Sequence, residues 1–246
     1  MVTDLAPLLA ETERLGLSLD AATLSAFGRY LELVSEWNER AGLTSVTDPA
    51  EVQRRHFGES LALLVALRTA GALPGVGDTR VADLGPGGGF PGVPMRLLEP
   101  SLQLVLVESN QKRADFLRLL VADLNLAGVE VVSARIEDAG RAPALRESFD
   151  LVVARALAAM PVLVEYALPL LRRGGLLAAP KGSRALAEME EARGAISALG
   201  GVALEPVGLP LPSDVPPQTV LLVRREGELD DRYPRRAGMP SKRPLA

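Results

Sequence analysis

"DLGPGGGFPG", residues 83–92, sets five glycines and two prolines in ten positions directly after the apolar run "TRVADLG" (79–85). A strand that empties into a glycine-rich turn can bring the backbone close to a ligand, because no Cβ stands in the way. Residues 87–92 spell G-x-G-x-x-G by letter, a pattern that alone does not choose among ligands. G-K-[ST] is missing, which excludes a Walker phosphate loop. Further on, "LQLVLVES" (102–109) reads as a second strand and closes on Glu108, 23 positions after Gly85. An acid at that place accepts hydrogen bonds from ribose hydroxyls, as an adenosine cofactor requires.

The pattern extends outward from this unit. "VEVVSA" (129–134), "FDLVVARAL" (149–157) and "GLLAAPKG" (175–182) are further strands, with helices expected over 110–128 and 160–175. This alternation predicts βαβ units on a parallel sheet. After a helix near 183–199, two runs follow without a helix between them, "VALEPVGLPL" (202–211) and "TVLLVRRE" (219–226), as in a closing antiparallel hairpin. Residues 1–75 read as a helical extension. Asp20 caps a helix with the stripe Leu24, Phe27, Leu31, Val34 and Trp37, which places Trp37 in the core; Asp48 and Pro49 start a second helix to about Thr69. "GALPGVGD" (71–78) is a link; residues 76–228 form the sheet domain and 229–246 a tail.

Composition narrows the chemistry. The 246 residues include no cysteine and one histidine, which removes disulfides, thiolate zinc sites and thiol nucleophiles; no metal site is expected. No amino-terminal apolar signal is evident, and "LALLVAL" (61–67) is too short to span a bilayer. A soluble, cytoplasmic monomer is the expectation. Net charge is −4, yet Arg232, Arg235, Arg236, Lys242 and Arg243 crowd the tail against the single acid Asp231 between 231 and 246. A basic tail on an acidic body is a sign of nucleic-acid contact; a solvated, disordered end is the plainer reading.

Asp83 turns the loop into D-x-G-x-G-x-G. A carboxylate there opposes a pyrophosphate but orients the ammonium of a methionine moiety. No histidine follows the loop to serve a dehydrogenase, and the hairpin end suits a methyltransferase. These features favour S-adenosyl-L-methionine over NAD, on a class I methyltransferase (Rossmann-like), doubly wound, mostly parallel seven-stranded α/β sheet. Gly85, Gly87, Gly89 and Glu108 are the cofactor-binding candidates that the residues themselves point to, with Asp83 beside them.

The chain also resembles the RsmG family (glucose-inhibited division protein B), bacterial enzymes that methylate N7 of a guanosine in 16S ribosomal RNA. The resemblance rests on "EWNERAGLTSV" (36–46), "RRHFGESL" (54–61), "DLGPGGGFPGVP" (83–94), "ESNQKRADFL" (108–117), "ARIE" (134–137), "DLVVARA" (150–156), "PKG" (180–182) and "RYPRRAGMPSKRPL" (232–245). It implies cofactor contacts from Gly85, Phe90, Glu108, Ser109, Asn110, Ile136, Glu137 and Arg155. The sequence departs from the family pattern at Pro86, where a small hydroxyl residue is usual, at Ala134 for glycine and at Glu59 for aspartate.

Guanine N7 offers a lone pair and carries no proton, so methylation there needs alignment and electrostatics rather than a general base. This suits a chain with neither a cysteine nor a D/N-P-P-Y/F signature after the fourth strand, where "ARAL" (154–157) stands instead. Arg155 is the catalytic candidate, donating to guanine O6, anchoring a phosphate or holding the cofactor; an ion pair with a neighbour such as Glu137 is its structural alternative. Lys112, Arg135 and Lys181 follow strand ends on one side and read as a basic rim for RNA phosphates. His56 reads as structural, with RNA contact as the alternative. The competing functions are a small-molecule methyltransferase, a non-catalytic cofactor- or RNA-binding module, and an NAD enzyme.

Overall fold

The computed structural model describes residues 3–73 and 79–245; most of the expected link 71–78, and the domain boundary placed there, lie outside the described residues. β1 (Arg80–Leu84), β2 (Gln103–Glu108), β3 (Val129–Ser133), β4 (Phe149–Val153), β5 (Leu171–Lys181), β6 (Gly201–Ala203), β7 (Val207–Gly208) and β8 (Thr219–Arg225) form one sheet. Their order is β3-β2-β1-β4-β5-β8-β6, with β7 also on β8. The first five run parallel, and β8 runs antiparallel to β5, β6 and β7. β6 pairs with Val223–Arg225 and β7 with Thr219–Val220. Both therefore fill one interrupted strand position beside β8, and seven positions hold eight strands. Pro206, which has no N–H to give a ladder, sits in the interruption.

Side-chain alternation splits the core into two layers. Val81, Leu104, Leu106, Leu151 and Val153 face one side, while Ala82, Leu84, Val105, Val107 and Val152 face the other. The first side is covered by α1 (Ala6–Arg14), α2 (Ala21–Ala41), α3 (Pro49–Glu51), a π-helical segment (Val52–Gly58), α4 (Glu59–Thr69), α5 (Gly92–Leu98) and α6 (Gln111–Asp123). The second is covered by α7 (Ile136–Ala139), α8 (Met160–Ala167), α9 (Ala185–Glu191), α10 (Arg193–Ala198) and the carboxyl-terminal segment with α11 (Met239–Lys242).

The caps fall where the residues put them. Asp20 accepts from Thr23 N at 2.7 Å, Asp48 accepts from Glu51 N at 2.9 Å, and Gly42 ends α2 in the left-handed region. Phe27, Leu31 and Val34 are buried; Leu24 and Trp37 are partly buried, and Trp37 lies 6.0 Å from Phe116 with Arg40 over its ring.

Three expectations change. The helix over 160–175 ends at Ala167, because Pro169 and the Gly174–Gly175 pair disfavour helix and Leu171 pairs in register with Phe149 of β4. The helix from Asp48 to Thr69 carries a π-helical segment in its middle. The carboxyl-terminal segment is ordered on α8: Tyr233 is buried, Tyr166 Oη and Ser241 Oγ share a 2.8 Å hydrogen bond, and Gly238 N donates to Glu137 Oε1 at 2.7 Å.

Candidate functional site

The glycine loop leaves β1 at the carboxyl end of the sheet, beside the point where strand order reverses between β1 and β4. Gly85, Gly87 and Gly89 have φ of +65°, +57° and +97°, a region that other residues enter only with strain. Their surroundings differ. Gly85 and Gly87 line a cavity of about 1240 Å³. Gly89 is buried under α2, where a Cβ would stand 2.5 Å from Tyr30 Oη, and that hydroxyl donates to Gly88 O at 2.6 Å. Gly89 is therefore not on the cavity wall, and its glycine is required by helix packing rather than by a ligand's approach. Gly92 is similar: a Cβ would meet Asp83 Oδ2 at 2.7 Å.

Two carboxylates brace the loop. Asp83 is fully buried, its Oδ2 accepts from Gly92 N at 2.7 Å, and its Oδ1 has no partner. Burial pushes its carboxyl up to about 7, against the pull of the Gly92 N–H and Arg155. Glu108 accepts from Asn110 N at 2.8 Å through Oε1 and from Gly87 N at 3.3 Å through Oε2. Each carboxylate oxygen has a second lone pair, so Glu108 retains acceptor capacity after holding the loop. Asn110 also caps α6 by accepting from Arg113 N, and Ser109 beside it is exposed. The unpartnered Asp83 oxygen, the glycine turn and the acid at the end of β2 suit the ammonium, backbone approach and ribose diol of S-adenosylmethionine. Asp83 and Glu108 nevertheless stand behind the loop, 0% and 4% exposed, while Gly85 and Gly87 line the cavity.

Arg155 stands just after β4 and joins the loop to the helical extension. Its Nη1 donates to Arg55 O at 2.9 Å and lies 3.5 Å from Glu59 Oε2; its Nη2 is 2.9 Å from His56 Nδ1. The guanidinium also sits 5.6 Å over the Phe90 ring. Its ion-pair partner is Glu59, not Glu137, whose carboxylate holds the tail at Gly238. Burial draws the Arg155 guanidinium down and pushes the Glu59 carboxyl up from their ordinary values. Arg155, Phe90, His56, Glu59, Arg54 and Arg55 all line the same cavity, together with the proline-rich loop 211–218. The cavity exceeds the usual size of a small-ligand pocket, with room for a nucleotide beside a cofactor.

The cationic candidates divide. Lys112, Arg135, Arg236, Lys242 and Arg243 are exposed and carry no ion pair among the described residues. Lys181 is engaged: its Nζ donates to Ala158 O at 2.6 Å and pairs with Glu188 at 2.8 Å, so it braces the loop after β4 rather than offering a free charge. Arg235 is engaged too, since its fork holds the carboxylate of Glu165, whose side chain is 0% exposed. Arg232 pairs with Asp230. Ile136 packs in the second core layer. Among the described residues no cluster of three or more His, Cys, Asp or Glu is arranged to hold a metal, and no helix is long and apolar enough to cross a membrane.

A family model described as rRNA small subunit methyltransferase G (GidB) matches residues 23–209. The chain belongs to this family. A "Ribosomal RNA small subunit methyltransferase G" of Desulfitobacterium hafniense is 40% identical over 233 residues, 95% of this chain and 94% of that protein. The protein of that name from Roseiflexus castenholzii is 44% identical over 234 residues, 94% of this chain and 95% of its own length. Among solved structures, a predicted O-methyltransferase from Agrobacterium tumefaciens superposes with a TM-score of 0.50 at 18% identity, covering 69% of this chain and 81% of that one. The [4+2]-cyclase SpnF reaches 0.53 at 15% identity, covering 84% and 97%. Such distant likenesses establish the fold alone. For a GidB-family chain the methyl donor is S-adenosylmethionine.

Sequence reasoning missed the contribution of α3–α4. "RRHFGESL" (54–61) carries the resemblance, but the meeting of Arg55, His56 and Glu59 with Arg155, about a hundred positions away, has no local signal. A Pro at the start of a helix with His and Glu three apart on one face was the only available hint.

Proposed function

We propose that the protein transfers the methyl group of S-adenosylmethionine to N7 of a guanosine in 16S ribosomal RNA, in the 530-loop region of the small subunit, acting as a cytoplasmic monomer. The observation that carries this reading is the cavity wall: it runs from Gly85 and Gly87 through Arg155 to Arg54 and Arg55 on the helical extension. Cofactor and nucleic acid thus meet across one arginine. Displacement at sulfur by a neutral nitrogen lone pair needs an aligned acceptor and no proton removal. Arg155 has five N–H donors, and three are taken by Arg55, Glu59 and His56. The others serve the base or a phosphate.

In this reading Glu108 takes the ribose, Asp83 the methionine ammonium, and Phe90 with Gly85 and Gly87 shapes the floor. Arg55, Lys112, Arg135 and the tail cations Arg236, Lys242 and Arg243 hold RNA phosphates. The test is transfer of labelled methyl from S-adenosylmethionine to 16S rRNA, presented bare and in small subunits, with 23S rRNA as control. Label confined to 16S rRNA is expected; label on 23S rRNA alone, or on neither with a protein that binds S-adenosylhomocysteine, refutes the substrate.

A further inference from the structure

We propose that His56 is a positioning residue for Arg155: a neutral imidazole in the Nε2–H tautomer whose bare Nδ1 accepts from the guanidinium and fixes it on the cavity wall. The proposal rests on the methyl-transfer reading of that cavity and adds a role for the chain's one histidine.

The tautomer follows from the hydrogen-bond inventory. A guanidinium only donates, so the 2.9 Å contact between Arg155 Nη2 and His56 Nδ1 needs a lone pair on Nδ1. A neutral ring then carries its proton on Nε2, which lies 2.6 Å from Thr44 Oγ1. Thr44 Oγ1 accepts there and also accepts from Val46 N at 3.0 Å, which holds the threonine in place. The ring stacks on Phe90, with centroids 4.6 Å apart and planes 20° apart. The next acceptor for Arg155 is the carbonyl of Arg55, one residue back along the π-helical segment. Two consecutive residues of that segment therefore present a carbonyl and an imidazole lone pair to one guanidinium, and π turns of this kind recur at functional sites.

Charge keeps the ring neutral. The charged groups facing it are Arg155 from the loop after β4 and Arg55 from its own segment; Glu59 pairs with the other terminal nitrogen of Arg155, while Thr44 and Phe90 are uncharged. A proton on Nδ1 would remove the acceptor and place a third positive charge among two arginines. Burial first, then these two cations, depress the imidazole to about 3. Arg155 thus keeps the same partner throughout the range in which an ordinary histidine titrates.

Because the chain has a single histidine, nitrogen-15 NMR of its imidazole gives one unambiguous pair of signals, Nδ1 and Nε2. A neutral Nε2–H pattern, unchanged between about pH 5 and 8, is expected, with titration returning toward the usual range in Arg155→Ala. A midpoint within that window in the wild type, or an Nδ1–H tautomer, overturns the proposal. Kinetics supply the second reading. His56→Phe keeps the stack on Phe90 and deletes the acceptor; kcat should fall roughly 10–100-fold, as for a slightly misplaced group, while KM for rRNA changes little. His56→Asn, which returns an acceptor near Nδ1, should recover much of the loss. Wild-type turnover by His56→Phe, or equal loss in both variants, overturns the role. If His56→Phe does not fold, the tautomer measurement decides alone. Absence of methyl transfer by the wild type defeats the rRNA reading and leaves the NMR result to judge the histidine separately.

Discussion

Gly89 shows how a residue of the loop can serve packing in place of ligand. Its φ of +97° and the 2.5 Å approach of a Cβ to Tyr30 Oη make even a methyl group unwelcome. Gly89→Ala should cost about 1–3 kcal/mol, read as a lowered denaturation midpoint. Gly182→Ala, with nothing within 4 Å and no positive φ, should stay within about 0.5 kcal/mol. Asp83 makes a prediction of opposite sign to the usual aspartate. Burial pushes its native carboxyl up to about 7, above the ordinary aspartate value of 3.8, so the native state binds the proton more tightly. The stability that Asp83 contributes is fully present below the unfolded value and is lost as pH rises through the window from 3.8 to about 7. The depressed His56 imidazole works in the opposite sense up to its ordinary 6.5. Asp83→Asn has no charge to desolvate and keeps an oxygen for Gly92 N. It should therefore gain stability relative to wild type as pH rises through that window, be more stable than wild type at pH 8 without ligand, and weaken S-adenosylhomocysteine binding in calorimetry. Asp83→Asn and wild type with the same difference in stability at pH 4 and pH 8 would contradict the buried-carboxyl account.

Among the elements, the carboxyl-terminal segment departs furthest from its reading. The run of cations suggests a solvated arm, yet Arg235 caps a carboxylate that α8 buries completely, and Gly238 N is tied to Glu137 beside β3. Arg235→Ala would strand Glu165 without a counter-charge, at a cost of about 3–5 kcal/mol; thermal unfolding with the isosteric Glu165→Gln in the same background should return part of it. No return would show that the pair is not the anchor. The strands, their parallel order and the two helix caps of the extension were legible because each rests on a local signal: alternation, a glycine turn, or Asp before a helix. The start of β5 at Leu171 was hidden by an apolar run that suits either period. The π-helical segment was hidden because its justification, Arg155 reaching Arg55 O and His56, comes from the far side of the chain. The same reason explains why the places of Asp83 at the end of β1 and Glu108 at the end of β2 were legible from order alone, whereas the ion pairs of Lys181 and Arg235 needed their partners to be seen.

Across the molecule, the helical extension and the sheet share one core layer and one cavity, so the glycine loop and the segment carrying Arg54 and Arg55 are mechanically joined. Net charge of −4 means that RNA is drawn by placed cations rather than by overall charge. Arg55, exposed and without an ion pair among the described residues, faces the cavity mouth. Arg55→Ala should weaken 16S rRNA binding and lower the salt slope of log K by about 0.7–0.9 for one lost phosphate contact, with S-adenosylhomocysteine affinity unchanged; an unaltered slope removes Arg55 from the interface. The central claim, methyl transfer to guanine N7, is tested most directly on the product itself. After reaction of 16S rRNA with S-adenosylmethionine and the protein, borohydride reduction and aniline should cut the RNA at one guanosine, because only an N7-methylated ring opens to that treatment. Methyl label recovered in any other nucleoside, with no cut, would contradict the account.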